Sequence, residues 1–181
     1  LGNAALSNMP IIEQVFVDWI NAKSQYALIL IPLFAFLEAC VGVGLLVSGV
    51  FLLAVATVVF ASQLASIETI VLLAFTGAVL GDHLGFYLGR WVGPRFHHSL
   101  LANKYRGSIE RAEVLIRRYG SAAIFIGRFI PAIRSMIPAM LGISGFKRLR
   151  YLFFDVLACL LWAIALGAIV MGLDIGFSFS K

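Results

Sequence analysis

Two arginines lie close together in a strongly apolar stretch of this sequence. Arg128 and Arg134 fall within residues 127–145, a segment that also carries Pro131 and Pro138. An arginine in the middle of a bilayer costs about 2.5 to 3.5 kcal/mol on insertion scales, so two of them indicate a function. A planar guanidinium binds phosphate through two parallel hydrogen bonds. The pair is therefore predicted to bind an anionic phosphate group.

The structural alternative for these arginines is ion pairing with Glu38, Asp82 or Asp155, which would only stabilise the fold. Apolar packing achieves the same stabilisation at lower cost than a buried ion pair. This comparison favours the functional interpretation.

Two carboxyl groups are candidates for proton binding. Glu38 is the only charged residue between Lys23 and Glu68, and burial favours the neutral form of a carboxyl group. Asp82, next to His83, is the second candidate for proton coupling. The structural alternatives are a permanent ion pair for Glu38 and a hydrogen-bonded Asp82 that fixes its helix.

Patterns typical of metal sites and enzymes are not found in the sequence. His97 and His98 are adjacent, so on a helix they point to different faces, and no Cys/His cluster accompanies them. The sequence therefore predicts no metal, no cofactor and no enzymatic activity.

The composition is that of an integral membrane protein. Hydrophobic residues make up 61% of the 181-residue chain and charged residues 13%, against roughly a quarter charged in soluble domains. The chain is predicted to form a single domain over residues 1–181. Most of the lysines and arginines lie between Arg90 and Arg150, which predicts a basic cytoplasmic face. Anionic lipid is the expected partner of that face, and no nucleic acid is.

Hydrophobic patterning divides the chain into seven segments. They are an interfacial amphipathic helix at 9–23, a first broken hairpin at 27–48, helices at 49–66 and 67–93, a basic amphipathic segment at 94–119, a second hairpin at 120–146 and a transmembrane helix at 150–173.

The second hairpin is predicted by counting. Basic clusters flank it at 117–118 and 147–150, so a single crossing would put one cluster on the wrong side. Two crossings would need about 40 residues. A re-entrant hairpin satisfies both constraints, with Pro131 and Pro138 breaking the helix and Gly142 permitting a turn.

Glycine recurs every four residues in the helix at 67–93, and three of these positions are Gly81, Gly85 and Gly89. This spacing predicts close helix packing along one face. Each half of the chain also contains an amphipathic helix, a broken hairpin and a spanning helix, which is typical of transporters with repeats. The predicted fold class is an all-α polytopic membrane protein with two re-entrant helical hairpins, transmembrane and interfacial amphipathic helices, and a pseudo-inverted repeat.

Two motifs, Gly81-Asp-His-Leu-Gly-Phe-Tyr-Leu-Gly-Arg-Trp-Val-Gly93 and Gly127-Arg-Phe-Ile-Pro-Ala-Ile-Arg134, resemble the DedA family, which shares the VTT domain with eukaryotic lipid scramblases. The resemblance implies a multi-pass protein of the bacterial inner membrane with two re-entrant hairpins. It links the chain to translocation of phospholipids or undecaprenyl phosphate, a process that in several members depends on the proton motive force.

The resemblance places the essential arginines of the family on Arg128 and Arg134, its membrane acid on Glu38 and its Gly-Asp pair on Gly81 and Asp82. The sequence departs from the family pattern after the first acid. Many members have a Pro-x-Pro turn and a second carboxylate there, whereas this chain has Val-Gly-Val-Gly at 41–44 and no charge before Glu68.

The expected function is therefore a membrane transporter that flips or scrambles anionic, phosphate-bearing lipids. Protons are the candidate coupling ion, and a homo-oligomer is compatible with the sequence. The alternative is a membrane scaffold that transports nothing, whose buried charges are structural and whose basic face recruits lipid or protein partners.

Overall fold

The computed structural model of the protein describes residues 24–41, 43, 44, 49–93, 106–130 and 133–179. All the regular secondary structure in these residues is helical, which confirms the predicted all-α class. Some predicted features lie outside the described residues, namely the amphipathic helix at 9–23, the end of the first hairpin at 45–48, the start of the basic segment at 94–105, and Pro131.

Seven α-helices follow one another in the described part of the chain. They are α1 (Ser24–Ala39), α2 (Gly49–Ala61), α3 (Ile67–Val92), α4 (Arg106–Tyr119), α5 (Ala123–Arg128), α6 (Met136–Ile143) and α7 (Arg148–Phe179). A turn of 3₁₀-helix, Gly120–Ala122, connects α4 to α5. Helix α7 extends past both ends of the segment predicted at 150–173, because no proline interrupts it.

Capping residues fix both ends of α3. The hydroxyl of Ser66 accepts a hydrogen bond from the backbone N–H of Thr69 at 3.4 Å. At the other end Gly93 has φ 59° and donates its backbone N–H to the carbonyl of Gly89. A positive φ at a helix end is easiest for glycine, so the helix ends there.

The two long helices, α3 and α7, run antiparallel. Near the start of α3, Val71 lies beside Gly167, late in α7, where an added Cβ would come within 2.6 Å of the valine side chain. Near the end of α3, the ring of Phe86 stacks on that of Tyr151, early in α7, with centroids 4.0 Å apart. By length and composition, α3 and the part of α7 up to Asp174 can each cross a membrane.

The hydrophobic core consists of two clusters. The first joins α1 and α2 to the start of α3 and the end of α7, and includes Ile31 and Ile70. The second joins α4, α5 and α6 to the end of α3 and the start of α7, and includes Phe86 and Tyr151. Asp82 lies on α3 between the parts of that helix that enter the two clusters. Buried charge is therefore placed where the two clusters meet.

Glycines allow α1 and α6 to touch the backbone of α3. A Cβ at Gly81 would lie 2.7 Å from the carbonyl oxygen of Phe36 in α1. A Cβ at Gly89 would overlap the carbonyl oxygen of Ala139 in α6, and Gly142 of α6 meets α3 in the same way. The spacing of glycines therefore serves close packing, and it brings the ends of α1 and α6 to one helix.

Helices α5 and α6 are short, with six and eight residues. At 1.5 Å per residue neither reaches across the roughly 30 Å of a bilayer core. Residues 129 and 133–135, between the two helices, form turns, and the backbone N–H of Arg134 donates to the carbonyl of Ile130 at 3.0 Å. The two re-entrant hairpins and the pseudo-inverted repeat stay predictions.

Candidate functional site

Two ion pairs lie between the hydrophobic clusters and join four parts of the chain. Arg128, at the end of α5, donates a guanidinium N–H to a carboxylate oxygen of Asp82 in α3. In the turn before α6, Nη1 of Arg134 lies 2.5 Å from Oε1 of Glu38 at the end of α1. All four side chains are at least nine-tenths buried. The fold thus brings together the four residues that the sequence singled out for phosphate binding and proton coupling.

An indole ring connects the two arginines. The guanidinium carbon of Arg128 lies 5.3 Å from the centroid of the Trp162 ring, and that of Arg134 lies 5.2 Å from the same centroid. Cations within about 6 Å of an aromatic ring are attracted to its face, most strongly in the case of tryptophan. Trp162 of α7 therefore makes a cation–π contact with each of the two guanidinium groups.

Several buried polar atoms around the arginines have no hydrogen-bond partner among the described residues. They include Nε and Nη2 of Arg128, Nη2 of Arg134 and the hydroxyl of Ser135. Ser135 is fully buried. A buried donor without an acceptor costs about 1 to 3 kcal/mol, and more when it is charged. The site thus offers spare hydrogen-bond donors on two cations, which is the requirement for binding an anion with several oxygens.

The carboxylate of Glu38 lies against the beginning of α2. A Cβ added to Gly49, the first residue of that helix, would come 2.5 Å from Oε1 of Glu38. The N-terminus of a helix carries a partial positive charge, which favours a nearby carboxylate. The second oxygen, Oε2, has no hydrogen-bond partner in the described part of the chain. Glu38 is therefore stabilised as an anion on one oxygen and open to a water or a proton on the other.

A third buried carboxylate, Asp155, lies on α7 close to the first ion pair. It is 1% exposed, and its Oδ2 lies 3.3 Å from Nδ1 of His83. The sulfur of Cys159 is 3.6 Å from Asp82 and 3.9 Å from Asp155, and the hydroxyl of Tyr151 donates to the backbone carbonyl of Asp82 at 3.2 Å. Asp155 was one of three predicted partners for the arginines, but its ion-pair partner in the described structure is His83.

The side chains of Asp82, Asp155 and Cys159 place potential ligand atoms within 4.8 Å of one another. The guanidinium of Arg128 already contacts Asp82 at this place and supplies the positive charge that a metal ion would bring. We therefore interpret the cluster as an ion-pair network and assign no metal to it.

The remaining motif residues pack around this network. Gly85 of α3 lies between Val41, just after α1, and Pro138 of α6: a Cβ at Gly85 would come 2.8 Å from the first and 3.5 Å from the second. Pro138 itself is buried in α6. Gly81, next to Asp82, packs on α1. These residues set the distance between the elements that carry the charges.

A comparison with protein families identifies the family of the chain. The model of the VTT domain matches residues 46–171, which is more than half of the chain. The chain belongs to the VTT domain (DedA) family. The matched range includes Asp82, Arg128, Arg134 and Trp162, whereas Glu38 lies before it.

Three curated relatives of the family illustrate the likeness. The inner membrane protein YqjA of Escherichia coli K12 is 35% identical over 100 residues, which are 55% of this chain and 45% of YqjA. YabI of the same organism is 26% identical over 150 residues, 83% of this chain and 59% of YabI. YghB of Salmonella typhimurium is 38% identical over 86 residues, 47% of this chain and 39% of YghB.

The chain spans about half the length of the curated relatives it matches. No solved structure matches it. The three relatives are named as inner membrane proteins, and none of the three names describes an enzyme. With the two candidate spans, these findings confirm the predicted location of this DedA protein in the bacterial inner membrane.

Trp162 and the pairing of His83 with Asp155 are the parts of the site to which the sequence analysis gave no role. One signal for Trp162 was available, because tryptophan in spanning helices is usually found near the membrane interface and this one lies well inside α7. No local signal links His83 to Asp155, since the two residues lie on different helices.

Proposed function

We propose that this DedA protein translocates anionic, phosphate-bearing lipids across the inner membrane, by flipping or scrambling them. Phospholipids and undecaprenyl phosphate are the candidate substrates. Arg128 and Arg134 bind the phosphate of the head group, while the lipid tails stay in the bilayer.

The observation that carries this proposal is the set of unpartnered donors on the two arginines. Each guanidinium is engaged by a carboxylate on one side and keeps at least one N–H group without an acceptor among the described residues. A phosphate group has several acceptor oxygens and binds guanidinium groups in a bidentate manner. Both guanidinium groups lie within 5.3 Å of the centroid of the Trp162 ring, and the proposal is that one phosphate binds to both.

The paired carboxylates suggest how a cycle would proceed. Without lipid, Asp82 and Glu38 neutralise the arginines, so no uncompensated charge is left in the membrane. When a phosphate displaces them, each carboxylate loses its counter-charge in a buried place, and binding a proton removes that cost. Lipid phosphate and protons would thus enter the site together, with Glu38 and Asp82 as the proton-binding groups.

The test is translocation of a labelled phospholipid or polyprenyl phosphate in proteoliposomes, with and without a pH gradient. Arg128→Ala and Arg134→Ala are expected to lower the rate at least tenfold, and Arg128→Lys to restore little, because an ammonium group cannot bind in a bidentate manner. Arg150→Ala, at an exposed position in the first turn of α7, is the matched control. Parent-level rates in both alanine variants would refute the transport site.

A scaffold without transport activity is the second candidate, and one observation favours it. Both arginines are already paired with carboxylates, as they would be if they only stabilised the fold. This function predicts that the alanine variants lose thermal stability and fail to accumulate. Loss of stability is expected under both functions, because each arginine is one half of a buried ion pair. Only the transporter predicts that the folded parent protein moves lipid in proteoliposomes, so translocation by the parent distinguishes the two.

A further inference from the structure

The buried charges of the described region do not balance. Three carboxyl groups lie there, those of Glu38, Asp82 and Asp155, against the guanidinium groups of Arg128 and Arg134. An uncompensated buried charge costs several kcal/mol, so the third acid needs a positive partner or a proton of its own. Glu38 and Asp82 each contact an arginine directly. The missing positive charge therefore belongs at Asp155.

The geometry of His83 fits this requirement. Its Nδ1 lies 3.3 Å from Oδ2 of Asp155 and 2.9 Å from the carbonyl oxygen of Val79. A carbonyl oxygen only accepts hydrogen bonds, so Nδ1 carries a hydrogen whether the ring is neutral or charged. The ring lies 5.6 Å from that of Tyr151, and its side chain is 20% exposed. Since Nδ1 already carries a hydrogen, an added proton would go to Nε2, which is buried and has no hydrogen-bond partner among the described residues. The ring as a whole is less enclosed than Asp155.

Charged and titratable side chains approach the pair from several helices. The neighbours of the His83 and Asp155 pair are Asp82 and Tyr87 on α3, Tyr151 and Cys159 on α7, and Arg128 on α5. Two further cations are engaged elsewhere: Arg148 lies over the ring of Tyr87, 6.0 Å from its centroid, and Arg134 is paired with Glu38. Helices α2 and α6 contain no titratable residue. Of these cations, Arg128 is held by Asp82, so a proton on the pair is what balances Asp155.

We propose that His83 and Asp155 form a proton-binding site that controls how strongly the neighbouring carboxylates attract Arg128. With the proton bound, Asp155 is neutralised and Arg128 is held by Asp82 alone. When the proton leaves, Asp155 becomes a second negative charge close to Arg128 and competes with any phosphate. The lipid phosphate and this proton therefore bind together. This inference rests on the proposed function and adds a proton site distinct from Glu38 and Asp82.

The coupling has a definite sign. Since each binding event favours the other to the same extent, affinity for a phosphate lipid falls as the pH rises through the range in which the pair loses its proton. For one linked proton, the dissociation constant changes by at most about tenfold per pH unit. Outside that range it no longer depends on this pair.

The proton site is tested directly by NMR of protein labelled with ¹⁵N-histidine in nanodiscs. The chain has three histidines, and the signal lost in His83→Gln identifies the one of interest. We expect the His83 signal to shift with pH in the parent protein, and the midpoint of that shift to change in Asp155→Asn. Absence of titration in the parent protein, or a midpoint unmoved in Asp155→Asn, would overturn the proposal.

The coupling is tested by calorimetric binding of a short-chain phosphatidylglycerol, from pH 5.5 to 8.5, in buffers of different ionisation enthalpy. The parent protein is expected to take up a proton on binding, and His83→Gln and Asp155→Asn to bind with a flatter pH dependence. Glu68→Gln, which removes an exposed carboxyl group of the same helix α3, should behave as the parent. Parent-like pH dependence in both variants would refute the coupling, whereas absence of binding by the parent at every pH would refute the proposed function itself.

Discussion

Gly49 lies directly against the carboxylate of Glu38, so close that a Cβ at the glycine would come 2.5 Å from Oε1. Gly49 begins α2 and Glu38 lies near the end of α1. The absence of a side chain at Gly49 therefore leaves the room in which Glu38 reaches Arg134. This contact makes the first residue of α2 part of the ion-pair network without giving it any charge.

Gly49→Ala should move the carboxylate of Glu38 away from Arg134. The added methyl group displaces the end of a side chain and no backbone atom. We expect lipid translocation in proteoliposomes to fall severalfold and the thermal unfolding midpoint in detergent to fall as well, because both charges of a buried pair lose their partner. Gly172→Ala, in open space on α7, is the control. An unchanged rate in Gly49→Ala would show that the position of Glu38 is not critical.

The pair formed by Asp82 and Arg128 should be strongly non-additive in stability. Removing one partner of a buried ion pair costs about 3 to 5 kcal/mol, because the other charge is left uncompensated. Asp82→Asn and Arg128→Gln are each expected to show this loss, and the double variant to lose less than the sum of the two. The measurement is a double-mutant cycle of chemical unfolding in detergent.

A control cycle combines Arg128→Gln with Glu68→Gln, whose carboxyl group is exposed. Distant sites without shared partners add to within about 0.5 kcal/mol. If the Asp82 and Arg128 cycle is equally additive, the contact between these two side chains contributes nothing to stability.

The aromatic ring of Trp162, rather than its side-chain volume, is expected to contribute to stability and to lipid binding. Trp162→Leu removes the aromatic face from both arginines. We expect it to lower the free energy of unfolding by about 1 to 4 kcal/mol, for two desolvated cation–π contacts, and to weaken lipid binding. Trp162→Phe keeps a ring and should retain part of each. Trp91→Leu, at a tryptophan that is 85% exposed, serves as the control. Equal behaviour of the leucine and phenylalanine variants would argue against a role for the ring.

Gly89 should tolerate no side chain. A Cβ there overlaps the carbonyl oxygen of Ala139, and a backbone atom cannot move aside as a side chain can. Gly89→Ala is expected to destabilise the protein by about 1 to 3 kcal/mol, the usual range for overpacking. In Gly172→Ala the same substitution meets no neighbour and should be neutral or slightly stabilising. Thermal unfolding of the two variants side by side tests the close approach of α3 and α6.

The individual charges of the site could be predicted from the sequence, whereas their pairing could not. Arg128 and Arg134 are visible because a charge in an apolar segment is costly, whatever surrounds it. Which acid each arginine contacts depends on tertiary packing, since Asp82 and Arg128 are 46 residues apart. Three acids are possible partners on the sequence alone, and the fold selects Asp82 for Arg128 and Glu38 for Arg134.

Helix packing could likewise be predicted only in part from the sequence. Glycine at every fourth position indicates a close helix contact, because it is a local pattern on one face of a helix. It does not say which helices come close. That the same row of glycines meets α1 at Gly81 and α6 at Gly89 follows only from the three-dimensional arrangement.

The chain order of the ion pair between Asp82 and Arg128 has a consequence for biogenesis. Asp82 is synthesised 46 residues before its partner, so α3 is complete before the arginine exists. An aspartate at the centre of an inserting helix costs about 2.5 to 3.5 kcal/mol, and this cost is relieved only when α5 arrives. Truncated or stalled chains therefore keep an unpaired acid in the membrane. Such an acid distinguishes incomplete copies from finished ones for any quality-control protease that acts on unpaired intramembrane charge.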